Sequence, residues 1–161
     1  MTSTIQTAHV LEKPRLIGQQ YRNMTHMLSA DIDPAEIDNQ LADLMAELYA
    51  DPLQHVIISY PWNEGTLHGF HGPDVWAAGF LKEWGQEIKL RGFDGVTAVD
   101  PIQFSVSSGH GIGKSAMSSW IIKFIMDTRP FCKGVVTSNT APQLKTKTWS
   151  ELAKWNAMSL T

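Results

Sequence analysis

The run Ser108-Gly109-His110-Gly111-Ile112-Gly113-Lys114-Ser115 places glycine at every second position and closes on a lysine and a serine. That spacing constrains the local backbone more than any other segment of the chain. Glycine permits positive φ and lets backbone N–H groups approach an anion with no Cβ in the way. Read as a phosphate-binding loop, Lys114 reaches the β- and γ-phosphates, the Ser115 hydroxyl ligates Mg²⁺, and the following helix aims its positive end at the anion. The pattern carries glycine where Ser108 stands. The candidate nucleotide-binding residues are therefore Ser108, Gly109, His110, Gly111, Ile112, Gly113, Lys114 and Ser115, with Lys114 as the catalytic charge partner and ATP and Mg²⁺ as the implied ligands. The plainer alternative is a Gly/Ser turn with an incidental lysine.

The flanks suit the loop. Ile102 to Val106 is a short β-prone run before it, Ala116 to Met126 an apolar run with helical potential after it, and Gly134 to Ser138 a second β-prone run. Strand, glycine loop and helix in this order predict an α/β fold, a partial P-loop NTPase preceded by a mostly helical region. Three segments are expected: an N-terminal arm over 1–30 with little apolar patterning, a helical and irregular region over 31–100, and an incomplete ATPase core over 101–161.

Upstream, Asp33-Pro34-Ala35-Glu36 reads as a helix start, and Ile37, Leu41, Leu44, Met45 and Leu48 recur at helical spacing. Asp51-Pro52 is expected to close that helix, and Gln54 to Tyr60 to be extended. Asn63 to Pro73 reads as an irregular loop, followed by a helix from Val75. A further helix is expected from Pro142 to about Met158.

The remaining chemistry-bearing residues admit bland readings. Cys132 is the single cysteine, which excludes an internal disulfide and suits a reducing compartment. His68 and His71 have no third ligand nearby in sequence. Most of the six tryptophans, Trp62, Trp76, Trp84, Trp120, Trp149 and Trp155, fall at apolar helical positions that suit packing over base stacking. A net charge of −3 argues against a strongly basic nucleic-acid clamp. Lys145, Lys147 and Lys154 read as a solvated helix face or as local DNA phosphate contacts. Asp127 and Arg129 read as a helix end or, for Arg129, as a finger acting across a subunit boundary. No run approaches the ~18 apolar residues of a membrane span, and no signal-peptide pattern opens the chain.

Asp51-Pro52-Leu53-Gln54-His55-Val56, Tyr60-Pro61-Trp62, Gly72-Pro73-Asp74-Val75-Trp76 and the glycine loop, in this order, resemble the N-terminal ATPase region of tailed-phage terminase large subunits. Val136 to Thr140, Gln143-Leu144, Trp149 and Glu151-Leu152 extend the resemblance, which spans about Asp51 to Trp155. It implies an ATPase domain with a RecA-like parallel sheet, and an ATP-hydrolysing motor that moves double-stranded DNA into a prohead in the host bacterial cytoplasm. It further implies a homo-oligomeric ring on a portal, fed by a small terminase subunit, with no membrane partner. Gly72 to Trp76 would then lie in the region that helps hold the adenine, although Ala77 stands where that family often has Gln and His110 where many members carry Arg. No apolar strand ending in Asp-Glu and no acidic nuclease triad follow Ser115. The expectation is an N-terminal fragment or truncated product that is inactive alone. The alternatives are a helicase-like or mobile-element NTPase, or a non-catalytic prophage remnant.

Overall fold

The computed structural model describes residues 34–107 and 109–161; the expected arm over 1–30, the capping Asp33 and Ser108 lie outside the described residues. Helix α1, Pro34–Glu47, begins with proline and carries Glu36 in its first turn, where a negative charge suits the helix dipole. Its stripe of Leu41, Leu44 and Met45 continues through Leu48 and packs against Ile58 in a small cluster.

Helix α2, Pro52–Ser59, replaces the extended run expected over Gln54 to Tyr60. Asp51-Pro52 therefore opens a helix where the sequence reading expected one only to close. The Asp51 side chain accepts from the Gln54 N–H at 3.1 Å, and Pro52 occupies the first turn, where its missing N–H costs nothing. His55 to Ser59 are all buried, and a lone extended backbone there would bury unpaired N–H and C=O groups. The helix stops because Pro61 forces Tyr60 into the extended region, φ −127° and ψ 145°. The loop that follows holds a 3₁₀ turn, Gly65–Leu67.

Helix α3, Val75–Arg91, ends on Gly92 in the left-handed conformation, whose N–H returns to the Ile88 and Lys89 carbonyls. Helix α4, Lys114–Thr128, follows the glycine loop. The last helical stretch is segmented: α5, Ala141–Gln143, is capped by Thr140 and runs through a π-helical segment, Leu144–Trp149, into α6, Ser150–Met158. α4 lies at the centre, against α2 on one side and α6 on another. Tyr60, Trp62, Trp120 and Trp155 form a mutually touching aromatic cluster there, with centroids 4.9–6.5 Å apart. Val56, Leu81, Trp84, Ile88 and Phe124 continue the same core. None of the described helices is long and apolar enough to cross a membrane.

The expected α/β class does not form. Among the described residues there is no β-strand, and so no parallel sheet of a P-loop fold. Ile102 to Val106 and Gly134 to Ser138 carry no regular secondary structure, and no backbone ladder joins them. The reason is spatial. Ile102, Phe104 and Val106 line a groove with Phe80 and Met117, whereas Val135 and Val136 line another with Ile122 and Trp149. Ile121 of α4 borders both grooves, yet each run meets the side chains of a different groove and no backbone hydrogen bond joins the two as strands ~4.8 Å apart would require.

Candidate functional site

Gly111 (φ +81°) and Gly113 (φ +84°) both adopt the left-handed backbone that L side chains resist. Gly113 is also the residue from which α4 starts, and the first loop-to-helix bond runs from the Met117 N–H to its carbonyl at 3.0 Å. No side chain caps this end, and helix geometry gives the Ser115 and Ala116 N–H groups no intrahelical acceptor. Among the described residues, and apart from chain neighbours, no atom stands within 4 Å of the position a Cβ would take on Gly109, Gly111 or Gly113, so the loop is open to an approaching group. His110 and Ser115 are exposed, and Ile112 and Lys114 are half-buried. Lys114 Nζ donates to the Gly109 carbonyl, closing the loop on itself. The seven described candidates, Gly109 to Ser115, are thus gathered around one helix N-terminus.

Trp76 joins them. Its indole N–H donates to the Ile112 carbonyl at 3.0 Å across 36 positions of sequence. The ring is half-buried and packs on the main core. The first turn of α3 is thereby tied to the loop that leads into α4.

Arg129 is not a finger. It is 1% exposed, donating to the Tyr49 and Phe93 carbonyls at 2.8 Å each and to the Thr128 hydroxyl at 2.6 Å. Its guanidinium also lies 4.6 Å from the Phe93 ring centroid and 5.0 Å from that of Phe124. Burial pulls its pKa down from the ordinary arginine value. A group so enclosed cannot reach a neighbouring subunit's phosphate.

Asp127 belongs to a cluster that local sequence reading missed. His55 is fully buried, with Nε2 2.8 Å from Asp127 Oδ2. Lys123 Nζ donates to Asp127 Oδ1 at 3.1 Å and to the Thr161 carbonyl at 3.0 Å. Ser59 Oγ lies 3.4 Å from His55 Nε2. Serine, histidine and aspartate so arranged suggest a proton relay, but a relay needs the two partners on different ring nitrogens. Here both meet Nε2, and Nδ1 has no partner among the described residues. The cluster is a structural lock between α2 and α4. Burial depresses the His55 pKa against the opposing pull of Asp127, so the ring is neutral and donates from Nε2. Burial pushes the Asp127 carboxyl up, but hydrogen bonds from His55 and Lys123 outweigh it and hold its pKa low. The available signal was two pairs at helical spacing, His55 with Ser59 and Lys123 with Asp127.

The other candidates lie apart. Trp62, Trp84, Trp120 and Trp155 are core residues, while Trp149 is 47% exposed. His68 and His71 are exposed, and among the described residues no three His, Cys, Asp or Glu gather as a metal site would require. Lys145, Lys147 and Lys154 are exposed, and Cys132 is a free thiol directed at the Ile125 carbonyl. No protein-family model matches the chain, nor does any curated protein or any solved structure.

Proposed function

We propose that the chain is the ATP-binding N-terminal part of a DNA-packaging motor of the terminase large-subunit kind, in which the complete protein couples ATP hydrolysis to DNA translocation. The observation that carries the nucleotide reading is the left-handed Gly111 and Gly113 leading into a 15-residue helix that opens on Lys114 and Ser115. This arrangement suits a polyphosphate: exposed N–H groups at a helix N-terminus, an ammonium beside them and room where side chains would otherwise stand. Lys114 would exchange the Gly109 carbonyl for phosphate oxygens. Ser115, exposed at the second helical position, would ligate the Mg²⁺ that accompanies ATP and neutralises its charge. The motor part of the proposal rests on the resemblance of the segments from Asp51 to Trp155.

The experiment is a titration of the purified chain with ATP and with inorganic triphosphate, repeated for Lys114→Ala. Removing the ammonium is expected to lower affinity for both ligands by about 1.5–3 kcal/mol, or roughly 10- to 150-fold. Absence of binding to either, or affinity indifferent to Lys114, reduces the loop to a structural turn.

One observation favours a second reading, a chain that holds nucleotide without turning it over. The two β-prone runs beside α4 are unpaired, and no acidic strand end follows the loop in sequence. Under either reading negligible steady-state turnover is expected of the isolated chain, and robust turnover abolished by Lys114→Ala would overturn that expectation.

A further inference from the structure

We infer that Trp76 is a positioning residue for the phosphate loop, its indole N–H locking the Ile112–Gly113 peptide in one orientation; the consequence for ligand affinity rests on the phosphate-binding reading above. A trans peptide is planar, and its C=O and N–H point in opposite directions. Fixing the Ile112 carbonyl toward Trp76 therefore fixes the Gly113 N–H on the opposite side. This peptide needs such a lock. Its plane turns about Ile112 ψ and Gly113 φ, and Gly113, at φ +84°, resists that rotation less than any other residue would. A rotated plane would turn a carbonyl dipole toward the space into which the N–H groups at the start of α4 open, and would repel an anion there.

Indole is suited to the task because it donates and cannot accept. It bonds only the orientation that presents the carbonyl. The donor is held in turn by the fold, since the Trp76 ring packs on the main core from the first turn of α3. This role differs from contact with adenine. A residue that orders the loop affects every ligand bound through phosphate, whereas one that holds the base affects only ligands that have a base.

Trp76→Phe keeps an aromatic ring and removes the donor. In nucleotide-free protein, the backbone amide NMR signals of Gly111 and Gly113 are expected to broaden or split while those in the middle of α4 stay in place. Affinity for ATP and for inorganic triphosphate should fall by the same factor, about two- to ten-fold. In the wild-type protein, the Trp76 indole proton should exchange with solvent more slowly than that of the half-exposed Trp149. Glycine signals unmoved by the substitution overturn the inference, as does a loss of affinity for ATP that spares triphosphate. If the wild-type protein binds neither ligand but the glycine signals move, the phosphate reading fails and the peptide lock stands. If the variant does not fold, the wild-type exchange measurement decides: an unprotected Trp76 indole proton overturns the lock.

Discussion

Gly113 and Lys114 are adjacent, yet they answer for different things, and substituting each separates fold from chemistry. Gly113 sits at φ +84°, a conformation that costs an L-residue roughly 1–2 kcal/mol, and a β-branched side chain would also stand where a phosphate approaches. Gly113→Val is expected to lower the melting temperature by roughly 3–8 °C and to abolish triphosphate binding. Lys114→Ala should leave the melting temperature nearly unchanged, because its bond to the Gly109 carbonyl is on the surface. A large melting shift from Lys114→Ala without loss of affinity would sink the phosphate reading. Arg129 makes the opposite case. Arg129→Ala removes a buried charge and strands the Tyr49 and Phe93 carbonyls. The expected loss is about 3 kcal/mol or more, measured as a fall in the urea midpoint, where an exposed finger would cost nothing. The sequence placed Arg129 correctly at a helix end, but its partners lie 36 and 80 positions away, beyond any local pattern.

Between elements, the contact most sensitive to solution conditions joins α2 to α4 through His55, Asp127 and Lys123. The His55 pKa is lowered on folding, so the unfolded chain takes up a proton first as pH falls below its ordinary value of 6.5. Stability contributed by the neutral ring is present above that pH and is lost as pH falls through the folded value. Asp127, also lowered, adds a second loss below its ordinary 3.8. Urea midpoints are therefore expected to drop between pH 7.5 and 5, and His55→Gln should flatten that slope while keeping an amide able to donate to Asp127. A slope equally steep in the variant would place the acid sensitivity elsewhere. This region also marks where sequence reading succeeds and fails. α1 and α3 were legible because one apolar face alternates with a polar one and start residues precede them, and α4 because an apolar run with helical potential follows the glycine loop. α2 was misread because every residue from His55 to Ser59 is buried, which erases periodicity and leaves a β-branched run open to either assignment. Ile102 to Val106 and Gly134 to Ser138 have strand character, but pairing is a property of neighbours and not of the run itself. The glycine loop was legible at its own scale because positive φ is written in the glycines. The Trp76 contact was not, since nothing local pairs an indole with a carbonyl 36 residues on.

For the whole molecule, the consequence of the missing pairing is apolar surface in two grooves beside α4. One groove, of about 420 Å³, runs beside Phe104, which is 42% exposed; the other, of about 650 Å³, runs beside Val135, 90% exposed, and Trp149. Monomeric proteins seldom leave contiguous apolar patches beyond a few hundred Å², and the unpaired β-prone runs present backbone donors and acceptors that a second chain can satisfy. The purified chain is accordingly expected to self-associate as its concentration rises and to bind a dye that fluoresces on apolar surface. The substitutions Phe104→Lys and Val135→Lys distinguish this cause from general instability. Each adds a charge at an exposed position, so the melting temperature should change little while light scattering and dye binding decrease. Because Ile121 borders both grooves, the double variant also measures whether the two effects couple through that shared residue. A monodisperse chain with a sharp melt and no dye binding would mean that these surfaces are already covered, and both lysines would then lower the melting temperature by burying a charge.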